Sequence, residues 1–279
     1  MNPSNARVLV TGAAGGIGSA IAKQLAKSGA TLLLTDLRQE PLDRLATELS
    51  KSCVNVTAVA ADITAEQGRN AVLASARELC VNVVINAAGV NPFGLLASQA
   101  SAEIGKTMLI NAVAPMLLCQ AMIPLLSERE AAHIINVGST FGSIGFPGFC
   151  TYSASKFAIR GFSEALRREL ADTHIRVHYV APRATRTALA TDRIRAMNEE
   201  LKVGMDSPQT VALAIEAVLR TERREFLLGI PERLFAKING LWPGLVDRSL
   251  RNQLSIIKRY ATATVGRPHL DTPPVSINA

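Results

Sequence analysis

Short β-branched apolar runs alternate along this chain with longer segments of helical period, and this alternation limits the fold more than any other feature. The runs fall at 7–11, 31–36, 55–60, 83–87, 133–137, 176–180 and 226–228. Helical spacing marks 19–28, 41–50, 66–79, 102–126 and 153–172, and Asp206-Ser207-Pro208 reads as a further helix start. The strand runs are continuously apolar, the pattern of strands buried on both faces of a parallel sheet. The expected class is therefore α/β: a Rossmann-like, doubly wound, parallel sheet of seven strands with helices on both faces. Residues 1–230 are expected to form that domain. A basic helical extension follows at 231–265, and a loose Pro/Thr/Ser tail at 266–279.

Composition narrows the function classes. Apolar residues make up 48% of the 279, enough for a large core, and 19% are charged, too few for disorder. The net charge of +7 admits an anionic partner or mere solubility. Few aromatics interleave with the bases and no recognition motif is present, so no nucleic-acid partner is expected. Cys53, Cys80, Cys119 and Cys150 form no C-x-x-C pair and read as buried free thiols of a reducing compartment. No metal site is expected. His174 and His178 are four apart, a ligand spacing on a helix but not on a strand. The polar MNPSN opening and the lack of a long apolar run point to a cytoplasmic protein, soluble or peripheral to a membrane.

The first strand runs into Thr11-Gly12-Ala13-Ala14-Gly15-Gly16-Ile17-Gly18 and then a helix. Glycines let the backbone turn tightly beside a pyrophosphate, and the helix N-terminus offers unpaired N–H groups and positive dipole to phosphates. Gly12, Ala14, Gly16, Ile17 and Gly18 are the candidate cofactor contacts in this loop. Asp36 ends the second strand, where a carboxylate can accept from both adenosine ribose hydroxyls and repel a 2′-phosphate. A solvated strand-end acid is the plain alternative. Arg38 could pair with a 2′-phosphate, but Leu37 is apolar and the glycine loop carries no base, so NAD is favoured over NADP. Asp62, after the third strand, could accept from the adenine amino group, cap the helix beginning near Thr64, or do both.

Tyr152 and Lys156 are spaced i, i+4 at a helix start and so project from one face. A free phenol, with a pKa near 10, is a poor base at neutral pH. A neighbouring ammonium and a positive nicotinamide ring would favour the phenolate and bring it into the range of acid–base catalysis. Ser139 lies just past the fifth strand, on the ligand side of such a sheet, where its hydroxyl can orient a substrate oxygen.

Taken together, TGAAGGIG, Asp36, Asp62, Asn86-Ala87-Ala88-Gly89, Asn111, Ser139 and the YSASK run from Tyr152 to Lys156 resemble the short-chain dehydrogenase/reductase family over roughly 7–228. The resemblance implies that Tyr152 is the acid–base and that Ser139 polarises the substrate carbonyl or alcohol. Lys156 would bind the nicotinamide ribose and lower the tyrosine pKa. Asn111 would hold a relay water, and Asn86 would begin a turn beside the cofactor. It also suggests a homodimer or homotetramer built through 102–126 and 153–172.

One departure stands out. Such proteins usually carry Pro-Gly after the sixth strand, then a threonine on the nicotinamide amide. Here the stretch is Pro182-Arg183-Ala184-Thr185-Arg186-Thr187, with Thr187 in place and arginine for glycine. Arg183 or Arg186 could meet a cofactor phosphate or an acidic substrate group, or Arg183 could simply point to solvent. Beyond Pro231, two apolar stripes surround a Pro243-Gly244 break. Arg233, Lys237, Arg248, Arg251, Lys258 and Arg259 stand there against Glu232 and Asp247 alone. The segment could close the pocket as a lid, pack on a partner subunit, or contact an anionic membrane through 231–261. All three favour a lipophilic small-molecule substrate. The expected activity is interconversion of an alcohol and a carbonyl on a hydrophobic or acyl-chain substrate. A cofactor-binding regulator or scaffold without turnover is the alternative.

Overall fold

A computed structural model describes residues 1–51 and 55–262. Cys53, positions 263–265 of the extension and the 266–279 tail lie outside the described residues. Seven strands form one sheet: β1 (Arg7–Thr11), β2 (Thr31–Asp36), β3 (Val56–Ala60), β4 (Val83–Asn86), β5 (Ala132–Val137), β6 (Ile175–Ala181) and β7 (Glu225–Leu227). Their order is β3-β2-β1-β4-β5-β6-β7, and every pairing is parallel. The seven-stranded doubly wound sheet is thus as expected, with shifts of one residue at several strand ends.

The continuous apolar runs have a direct cause. Val8 and Val10 of β1 pack on one face, against α1 (Gly16–Lys27), α2 (Gln39–Ser50) and α8 (Pro208–Thr221). Leu9, between them, packs on the other, against α3 (Glu66–Glu78), α5 (Ala114–Ser127) and α6 (Cys150–Glu169). All three are fully buried, so the strand has no solvent face to make polar. The chain order reverses across β1, between β2 and β4, and opens a crevice at the carboxyl ends of the strands.

The predicted helix 102–126 is one rod in three parts: α4 (Ser101–Met108), a π turn (Leu109–Val113) and α5. It is also long and apolar enough to cross a membrane, contrary to the expectation that no segment is. Half of its apolar window is buried inside the fold, and it packs on the sheet as a core helix. α7 (Asp192–Glu200) was not foreseen, since its sequence is mostly polar. The extension folds as α9 (Ile230–Leu241) and α10 (Pro243–Thr262), divided at Trp242-Pro243. Of the described cysteines, Cys119 is buried and Cys80 half-buried. Cys150 is exposed at the start of α6, correcting the expectation of burial.

Candidate active site

The glycine loop is shaped by two close approaches. Gly12 has φ +65°, and a Cβ there would stand 2.7 Å from the Ala88 Cα. A Cβ on Gly18 would stand 2.1 Å from the Gly12 carbonyl oxygen. Neither place admits a side chain, so the loop folds tightly and delivers the α1 N-terminus to the crevice. Gly15 is the N-cap of α1 and offers no side-chain cap, which leaves first-turn N–H groups for an anion. Asp36 Oδ2 accepts from the Ala14 N–H at 3.0 Å and Oδ1 from the Leu37 N–H at 2.7 Å, fixing the β2 end to the loop. Gly16 lies against Thr187, bringing the 182–187 stretch onto the loop. Asp62 Oδ1 accepts from the Thr64 N–H and hydroxyl at 2.9 and 2.6 Å. Those two bonds hold its carboxyl below the usual range and make it a turn anchor ahead of α3. The loop, the uncapped helix start and two strand-end acids fit a dinucleotide in donor chemistry as well as in shape.

Asn86 ends β4 and leads into the turn that follows it. Its Nδ2 donates to Asn136 Oδ1 at 2.8 Å and to the Cys119 sulfur at 3.3 Å, and Asn136 in turn donates to Ser163. The side chain is thus a buried tie between β4, β5 and the flanking helices, turned inward from the crevice. Burial pushes the Cys119 thiol up to about 12, so it is inert there. Thr11, unremarked in the sequence, anchors the turn after β4 by accepting from the Ala87 and Ala88 N–H groups at 3.0 and 3.1 Å.

Asn111 sits in the π turn, a place where an extra residue re-aims a helix face. Its Oδ1 accepts from Val90 N at 2.8 Å, while Nδ2 donates to Val90 O at 2.9 Å and Ser155 Oγ at 3.0 Å. The amide side chain is thus held by protein partners. Gly89 lies against both Asn111 and Lys156.

Ser139, Tyr152 and Lys156 meet where β5 ends and α6 begins. The Ser139 Oγ accepts from Phe141 N at 3.1 Å, which leaves its hydroxyl hydrogen to donate elsewhere. A second tyrosine, missed in the sequence, fixes this turn. Tyr179 of β6 donates to the Ser139 carbonyl at 3.1 Å and accepts from the Ser139 N–H at 3.4 Å. Its ring and hydroxyl fill the space left by Gly138 and Gly142, where a Cβ would fall 2.2 Å from the ring and 2.4 Å from the hydroxyl oxygen. Lys156 is buried, donates from Nζ to the Val137 carbonyl at 3.1 Å, and lies 5.7 Å from the Tyr152 ring centroid. Burial pushes the Tyr152 phenol up to about 12, with the Ser139 hydroxyl beside it opposing, and pushes the Lys156 ammonium down to about 8. The expected lowering of the tyrosine by the lysine is therefore not set up by the protein alone. As folded, the phenol holds its proton.

Before this group lies a cavity of about 310 Å³. Ser139 and Tyr152 reach it from the sheet side, as do Phe141, Phe146 and Phe149, whose rings stack and tilt on one another and on Tyr152. Leu189, Ile194 and Met205 add apolar wall from the stretch before α8, and Phe235, Val246 and Leu250 from α9 and α10. Arg183 has two acidic partners that the sequence did not reveal. Its Nη2 donates to Asp206 at 2.7 Å and its Nη1 to Glu232 at 3.4 Å. Its side chain, 27% exposed, ties the loop before α8 to α9. Its φ is not positive, so arginine stands in for glycine without backbone strain. Arg186 donates to the Met205 carbonyl in the same knot.

Comparisons agree with this architecture. The model of the short chain dehydrogenase family matches residues 6–198. The chain is 31% identical over 245 residues to the uncharacterized oxidoreductase YmfI of Bacillus subtilis, covering 85% of this chain and 99% of that one. A 3-ketoacyl-(acyl-carrier-protein) reductase from Brucella melitensis, solved with NADH, superposes with a TM-score of 0.75 at 25% identity, covering 81% and 97% of the two chains. A short chain dehydrogenase/reductase from Burkholderia phymatum, solved with NAD, gives 0.80 at 23% identity over 88% and 96%, a likeness of fold. The chain belongs to the short-chain dehydrogenase/reductase family, a family of nicotinamide-dependent oxidoreductases.

Proposed function

We propose that this protein interconverts an alcohol and a carbonyl on a hydrophobic or acyl-chain substrate, with Tyr152 as general acid and base. One observation carries the reading: the hydroxyls of Ser139 and Tyr152 border a single cavity whose other walls are mostly aromatic and aliphatic. A bound nicotinamide cofactor would supply or accept the hydride. In reduction, Ser139 donates its free hydroxyl hydrogen to the carbonyl oxygen and Tyr152 transfers its proton to that same oxygen. The protonated phenol of the folded protein suits this direction. Lys156 has ammonium hydrogens beyond the one given to Val137, which suit it to hold a ribose hydroxyl. The glycine loop at Gly12, Ala14, Gly16, Ile17 and Gly18, with Asp36, Asp62 and Thr187, would hold the dinucleotide. Asp36 favours NAD over NADP, because its carboxylate would repel a 2′-phosphate.

Chain length is the discriminating variable. Purified protein offered NAD or NADP with alcohols from short and polar to long-chain should turn over the long members with the higher kcat/KM. A preference for short polar alcohols would refute the substrate class. Tight cofactor binding without turnover of any member would favour the regulator or scaffold.

A further inference from the structure

The outer face of α9 is built like the contact face of a helix but has no partner in this chain. Ile230, Arg233, Leu234, Lys237 and Leu241 follow one another at helical spacing and share one face. Ile230, Leu234 and Leu241 are 81, 58 and 69% exposed. The opposite side faces the body, where Glu232 meets Arg183, Asn239 Nδ2 donates to the Ser143 carbonyl at 2.9 Å, and Phe235 reaches the cavity. The apolar face therefore points away from the fold. It runs into Trp242, 63% exposed, and Leu245, 58% exposed, at the corner before α10. Arg248 and Arg251 then continue exposed along α10. Arg233, Lys237, Arg248 and Arg251 have no acidic partner among the described residues, and Asp247 is the exposed acid among them.

The geometry points to an anionic lipid surface as the occupant of this corner, with Trp242, Leu241 and Leu245 seated among the acyl chains and the four bases at the headgroups. Apolar burial supplies non-specific attraction and the bases select negative charge. Charge complementarity decides against a second copy of the chain. A two-fold contact would bring together two copies of one face that carries Arg233 and Lys237 and no acid, like charge against like. The docking surface does not depend on the reaction. Its use does: α9 and α10 also wall the cavity, which would set that cavity close to a membrane-dissolved substrate, and this step rests on the alcohol–carbonyl reading.

Trp242 is the only tryptophan of the sequence, so its fluorescence reports on the corner directly. Full-length protein would be titrated with phosphatidylcholine vesicles, with and without phosphatidylglycerol, in parallel with flotation. A blue shift and flotation are expected with the anionic vesicles, weakened by salt. Lys237→Glu and Arg248→Glu should each weaken binding by about fivefold or more. Leu241→Asp with Leu245→Asp should abolish the shift while leaving cofactor binding, measured separately, unchanged. No shift with anionic vesicles overturns the proposal. So does equal binding to both vesicle types, or a concentration-dependent shift without lipid accompanied by dimerisation. Because no turnover enters these readouts, a wrong substrate class would leave them untouched.

Discussion

At the scale of single residues, the site is a set of buried polar groups whose charge states the protein works against. The Tyr152 phenol is raised to about 12 and the Lys156 ammonium lowered to about 8, both chiefly by loss of water. Tyr152→Phe keeps the ring, its edge contacts with Phe141 and Phe149, and the burial, but removes the proton. It should cut kcat by about 10²–10⁴-fold, the usual worth of general acid–base catalysis, with cofactor affinity nearly unchanged by titration. Lys156 carries a second consequence, in stability. Its folded pKa lies below the ordinary value of 10.5, so the unfolded chain binds the proton more tightly. Charged burial then costs stability in full below about pH 8, and the cost is relieved as pH rises from 8 toward 10.5. Lys156→Met should be inactive yet more stable at pH 7, by about 1–3 kcal/mol, in urea unfolding. The gain over the parent should shrink between pH 8 and 10.5. Tyr179 acts through another residue. Tyr179→Phe removes both of its bonds to the Ser139 backbone and should lower kcat with little change in cofactor KM. A matching loss of both would make its role merely structural.

Elements explain why parts of this site were legible and others were not. The β strands read directly from sequence because burial on both faces leaves no polar alternation to obscure them. Tyr152 and Lys156 read as a pair because a helix sets their spacing, and the glycine loop because two of its positions admit no side chain. The strand-end place of Asn86 was legible, but strand-end placement does not say which way a side chain turns. Tyr179 was silent because its partner Ser139 lies 40 residues away, on a neighbouring strand end. The same limit hid the histidines. His133 of β5 and His178 of β6 stack, with 2.9 Å between Nδ1 and Nε2, beneath the α8 C-terminus. His178 Nδ1 bonds the Arg223 carbonyl, and Glu222, 3.9 Å from His133, also binds the Met1 ammonium. Burial, with His178 beside it, lowers His133 to about 4, and burial also lowers His178. His133 stays neutral when folded and takes a proton when unfolded. Its contribution is present above about pH 6.5 and is lost as pH falls toward 4, and the lowering of His178 acts in the same direction. Thermal stability should therefore fall between pH 7 and pH 5 by more than in His133→Asn, whose profile should be flatter across that window.

For the whole molecule, the question is what holds the extension to the catalytic body. The sequence showed a basic amphipathic helix pair after the main domain but not its anchors, because every anchor joins residues distant in the chain. Arg193 donates to the Tyr260 and Ala261 carbonyls, and Arg259 and Tyr260 meet Glu200, so α10 is fixed to α7. At the other end Arg183, 23 residues from Asp206 and 49 from Glu232, ties the loop before α8 to α9. This second tie is partly shielded from water, and Asp206 also shares backbone bonds with Ala184 and Arg186. Removing the guanidinium would leave two carboxylates facing each other with no cation between them. Arg183→Gly should then loosen α9 without disturbing the glycine loop, which Arg183 does not touch. Proteolysis within 230–242 should quicken, and KM for a long-chain substrate should rise by roughly tenfold, the effect of losing 1–2 kcal/mol of wall contacts. KM for the cofactor should hold. A rise in cofactor KM alone would favour the phosphate-binding reading of Arg183, whereas unchanged proteolysis and unchanged KM values would mean that the α10 anchors suffice to hold the extension.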